Sequence, residues 1–169
     1  GEEEHQSFPL KAVQERIEEA RELAGIRSLM IWTDPKLEDF EALLRTCRRC
    51  GVKPYLWFPV LADLSGYVPE PENLLLLYDG QRGYGKSGKW ERLGQGPEKF
   101  LFQCPNNEKG IDGIFRIFVS LLDRYDFDGV MLDRIRYPSA VNGFESLFSC
   151  FCPSCEQAFR SAFGTELAP

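Results

Sequence analysis

A repeated order of helix, glycine and strand constrains this chain more than any other feature. The stretch "PLKAVQERIEEARELA" (9–24) sets Leu10, Val13, Ile17, Ala20 and Leu23 at helical spacing, with Gly25 as the stop. "IRSLMIWT" (26–33) follows as a buried strand, and Thr33 or Asp34 caps a second helix. That helix carries an apolar stripe of Leu37, Phe40, Leu43 and Leu44 and ends at Gly51, after which "VKPYLWFPVL" (52–61) reads as another strand. Such alternation predicts βα units joined by right-handed crossovers, and therefore a parallel sheet.

The later segments extend the rhythm less regularly. "NLLLLYDG" (73–80) and "KFLFQC" (99–104) read as short strands, with the Gly-rich "QRGYGKSGKWERLGQGP" between them as an exposed loop or hairpin. "GIDGIFRIFVSLLDRYD" (110–126) is an amphipathic helix with Ile114, Ile117, Phe118 and Leu121 inward, and it leads into the apolar run of "FDGVMLDRIRYPS" (127–139). Four or five strands are too few for a closed eight-stranded barrel, which takes about 250 residues. The first helix has no strand before it, and the helix in "CEQAFRSAFG" ends where another strand would begin. The expectation is an α/β fold in a single domain over 1–169: a partial (β/α)8 TIM barrel of about four to five parallel strands. The rest of a barrel or a second copy of the chain would complete it.

Composition narrows the function classes. With 169 residues, 43% of them hydrophobic, the chain can bury one good core. A formal charge of −6 argues against nucleic acid as a partner, because phosphate recognition needs clustered Lys and Arg. No stretch approaches the roughly 20 apolar residues of a membrane span. The opening "GEEEHQSFP" lacks the basic-then-apolar order of a signal peptide. His5 is the single histidine, which excludes a Ser-His-Asp triad or a His-built metal site.

The candidate chemistry sits where the last strand ends. By alternation Gly129, Met131 and Asp133 face one way, and Val130, Leu132 and Arg134 the other. Ligands of parallel α/β proteins collect at the C-terminal lip of the strands. A carboxylate there can act as nucleophile or general acid/base on a glycosidic bond, with Arg134 or Arg136 holding it ionised and Tyr137 stacking on a sugar ring. The structural alternative, a helix cap or a fixed ion pair, has equal weight from pattern alone. Trp57, near a strand end, can supply a sugar platform, and Asn106 can bind sugar hydroxyls, although core packing and turn formation are the commoner roles.

The cysteines form a second signal. "SCFCPSC" puts Cys150, Cys152 and Cys155 in a C-x-C-x2-C cluster ahead of a helix, a spacing that turns three thiolates toward one ion. Tetrahedral zinc requires a fourth ligand, and Cys104, at a strand end on the same face, is the best candidate. Cys47 and Cys50 lie in the last turn of a helix at the opposite face and are read as free or buried. Two disulfides or free thiols are the alternative, although neighbours as close as Cys150 and Cys152 pair poorly.

"YDFDGVMLDRIRYP" resembles the "DGIHLDYIRYP" signature of a family of bacterial glycoside-hydrolase-like TIM barrels, and "FQCPNNEKGIDGIFRIFVSLLDRYD" resembles the stretch that leads into it. Together they cover residues 102–138. The resemblance implies Asp133 as the acidic catalytic residue, with Arg136 and Tyr137 shaping the site. Met131 and Arg134 stand where the family often has histidine and tyrosine. "CFCPSCEQAF" is similar to the cysteine segment of beta-galactosidase-like barrels, which implies a structural zinc beside the substrate cleft. The expected function is hydrolysis of a poly- or oligosaccharide through Asp133; localisation stays open, although the enzyme class leans toward extracytoplasmic polysaccharides. The alternatives are a non-catalytic carbohydrate-binding domain and an interaction module built on the cysteine cluster.

Overall fold

A computed structural model describes residues 10–32, 40–83, 100–139 and 147–167. They divide into two compact units: Gly1–Phe58 with Ser120–Met131, and Pro59–Val119 with Leu132–Pro169.

The first unit carries α1 (Leu10–Ala24), β1 (Ser28–Trp32), α2 (Phe40–Arg49) and nearly all of β2 (Lys53–Pro59). It also takes the end of α3 (Glu108–Arg124) and most of β3 (Gly129–Asp133). Both helices stop where the glycines predict: Gly25 and Gly51 adopt φ of 64° and 68°, the left-handed conformation that costs other residues steric strain. β1 and β2 pair in parallel with Ser28 opposite Lys53 and Trp32 opposite Trp57, and the strand order is β1-β2-β3. Ile17, Ile31, Phe40, Leu43, Leu44, Cys47 and Val52 form the core, closed on one side by Tyr125 and Phe127. Thr46, buried in α2, donates to the Ala42 carbonyl at 2.9 Å and accepts from Gln14 Nε2 at 2.8 Å, so its hydroxyl is satisfied while it ties α1 to α2.

The second unit is built differently. Val60 and Leu61 donate their N–H groups to Asp133 and Arg134 carbonyls, which extends the parallel pairing past the strand ends. Beyond that, loops pack on one another. Leu61, Ala62, Leu75, Phe102, Cys104, Cys150, Cys152 and Cys155 make its core, so half of these buried side chains are cysteines. α4 (Pro153–Phe163) starts directly at the cluster, with Cys152 as its N-cap and Pro153 in its first turn.

These observations correct the expected fold class. The sheet has three parallel strands, not four to five, and a partial TIM barrel is not what the described residues form. Residues 73–80 and 99–104 were the expected extra strands. Where described they make only isolated antiparallel bridges, Leu74 to Gln103, Leu76 to Arg82 and Leu77 to Ser149. The apolar side chains responsible, Leu74, Leu75, Leu77 and Phe102, are buried, but within loops, with Leu75 and Phe102 in the cysteine-containing core. A short apolar run records burial without recording which element does the burying. β3 also departs from a strand covered on both faces, since Leu132 is 48% exposed. Leu37, Thr33, Asp34, His5 and most of the Gly-rich loop lie outside the described residues.

Candidate functional site

Four thiols meet in the core of the second unit. Cys104 Sγ lies 3.4 Å from both Cys155 Sγ and Cys152 Sγ, and the four sulfurs, with Cys150, all lie within 4.8 Å of one another. All four residues are buried. A metal with bonds of about 2.3 Å to four thiolates in a tetrahedron sets its sulfurs about 3.8 Å apart, so the spacing fits one ion. No disulfide joins any cysteine.

Protein groups already aim at these sulfurs. The Leu76 N–H donates to Cys150 Sγ at 3.2 Å, and Asn106 Nδ2 to Cys155 Sγ at 3.3 Å. A hydrogen bond from Cys104, with the Leu76 and Cys152 N–H groups behind it, pulls the Cys150 thiol well below its ordinary range. The same bond, together with burial, pushes Cys104 up, and burial raises Cys155 to about 11. With Cys150 drawn toward thiolate and Cys104 and Cys155 held toward S–H, further negative charge in this buried cluster calls for a cation. Tyr137 belongs to the same neighbourhood: burial first and then the four sulfurs push its hydroxyl to about 12. Asn106, Tyr137, Cys150 and Cys155 share a groove of about 500 Å³ with Phe159 and Phe163 of α4.

Asp133 closes β3, half-buried, and its Oδ1 accepts the Arg134 N–H at 2.7 Å. Arg134 then breaks the strand alternation with φ of 54°. Its guanidinium reaches Asp63 Oδ2 at 3.0 Å and lies 3.9 Å from the Phe100 ring centroid. Arg136 is exposed, 5.3 Å from the Phe102 ring, with Nη1 donating to the Tyr137 carbonyl at 3.0 Å.

The second unit therefore contains Asp133, Arg136, Tyr137, Asn106 and the four cysteines, whereas Trp57 belongs to the first, where its ring meets Trp32 edge-on at 5.0 Å. Asn106 stands against a sulfur, the position of a group that orients a metal ligand. Sequence reasoning missed Asp63 as the partner of Arg134 and the Leu76 N–H as a donor to Cys150. Neither carries a motif; each is brought in by a loop distant in sequence. Cys47 and Cys50 are free thiols of the first unit, and burial raises Cys47.

No protein-family model matches the chain, and no curated protein matches it. Among solved structures, alpha-L-fucosidase isoenzyme 2 from Paenibacillus thiaminolyticus superposes with a TM-score of 0.59 and 16% identity. The match covers 88% of this chain and 23% of that one, so the chain spans under a quarter of the fucosidase, and the likeness is one of fold. Among the described residues no helix is long and apolar enough to cross a membrane.

Proposed function

We propose that the chain is part of a carbohydrate-active protein of glycoside-hydrolase type, with Asp133 acting on a poly- or oligosaccharide and a structural zinc braced by Cys104, Cys150, Cys152 and Cys155. The observation that carries the zinc is the meeting of four buried sulfurs within 4.8 Å. Zinc suits an all-thiolate tetrahedron, and a site filled by four sulfurs leaves no position for water, which makes its role structural. The sugar side draws on the fold likeness to a fucosidase and on the strand-end position of Asp133 beside Arg134. Arg136 and Tyr137 are the proposed edges of the substrate site and Asn106 a further sugar contact, all in the second unit, while Trp57 is proposed only as a separate sugar platform of the first.

One observation favours non-catalytic binding as a second reading. Hydrolysis by paired carboxylates needs a partner for Asp133, and Asp63 in the same unit is engaged with Arg134 at 3.0 Å.

The test is turnover of 4-nitrophenyl α-L-fucoside, β-D-galactoside and β-D-glucoside by the chain and by Asp133→Asn, with equilibrium binding of the free sugars alongside. Turnover that disappears in Asp133→Asn supports hydrolysis. Binding without turnover supports the second reading, and the absence of both turnover and binding contradicts both readings.

A further inference from the structure

The second unit holds a partly open cavity of about 180 Å³. Asp63, Tyr67 and Gln103 supply its polar wall, and Leu64, Phe100 and Leu101 its apolar one. Gln103 is only 2% exposed, and its Oε1 accepts the Tyr67 hydroxyl at 3.4 Å. Asp63 holds φ of 59°, a conformation rare for a residue with a side chain and concentrated at ligand-binding positions. Its carboxylate is oriented by Arg134, which is itself largely buried against Phe100.

The charge balance selects the ligand class. An anion is repelled by Asp63, and an amine finds that charge already matched by Arg134. What remains is a carboxylate, an amide and a phenol beside an aromatic and aliphatic wall. That set pairs with several hydroxyls at once while apolar C–H faces pack on the other side. The volume lies below the roughly 300–1,000 Å³ of sites for larger ligands, which limits the occupant to one ring.

We infer that this cavity is a subsite for a single neutral monosaccharide unit, with Asp63 accepting its hydroxyls and Arg134 as the positioning residue. The inference rests on the carbohydrate reading above.

An amide-resolved NMR titration of the metal-loaded chain with L-fucose, D-galactose and D-glucose tests it. Expected are saturable shifts at Asp63, Leu64 and Gln103 for at least one sugar. Asp63→Asn weakens that binding about tenfold, the value of one charged hydrogen bond. Tyr67→Phe, which leaves the Asp63–Arg134 pair in place, weakens it about threefold and serves if Asp63→Asn does not fold. Shifts confined to Asp133–Tyr137 overturn the subsite while leaving the carbohydrate reading intact. No shift with any of the three sugars overturns the subsite together with sugar binding.

Discussion

Asp63 and Arg134, from the two separate stretches of chain that make up the second unit, both adopt left-handed backbone conformations and meet in one ion pair, Oδ2 to Nη1 at 3.0 Å. Two strained residues holding each other stay in place only if the surrounding contacts over-determine them. Arg134 has its guanidinium against Phe100, and Asp63 keeps about half of its side chain in water, so the pair's Coulomb share is modest. Asp63→Asn, which retains a residue tolerant of positive φ, therefore lowers stability by about 1 kcal/mol. Asp63→Val adds a β-branched clash and costs about 2–3 kcal/mol. Urea midpoints of the two variants, compared with the parent, check the order.

Phe102 is fully buried in the cysteine-lined core, with Leu75 and Leu61 as fellow members. Phe102→Ala leaves a cavity there and costs about 3–5 kcal/mol, read from the same denaturation curves.

The glycine stops of α1 and α2 and the inward face of α3 stand where periodicity puts them, because 3.6-residue spacing is a local property, although Leu23 of the predicted α1 stripe is exposed. The four-cysteine set was legible because C-x-C-x2-C restricts geometry within a few residues, leaving one long-range guess, Cys104. The strand count was not legible. Leu74 to Leu77 have the greasiness of a strand, yet Leu75 and Leu77 bond across to Phe102 and Gln81 in a loop. Asp63 was invisible for the same reason: its meaning depends on a contact across the chain.

Asn106 bonds to Cys155 Sγ rather than standing apart from the cluster. Removing such an outer donor costs metal sites about 10- to 100-fold in affinity, so Asn106→Ala weakens zinc at least tenfold in a competition titration with a chromogenic chelator.

Zinc uptake by the cluster is predicted to release protons. Cys104 and Cys155 have thiols held above their ordinary range in the metal-free cluster and therefore enter as S–H at neutral pH, and both must leave as thiolate when a cation binds. Affinity therefore rises with pH through the neutral range, toward Cys155 at about 11 and Cys104 above it. Calorimetry in two buffers of different ionisation enthalpy measures the protons released, and a heat independent of buffer contradicts the expectation.

X-ray absorption at the zinc edge on the chain as purified, with metal content measured on the same sample, is the most direct test of a zinc-braced second unit. One zinc per chain, surrounded by four sulfurs at about 2.3 Å, lost in Cys104→Ser and kept in Cys50→Ser, is the predicted result. A chain that holds no zinc, or whose zinc survives Cys104→Ser with nitrogen or oxygen neighbours, contradicts it.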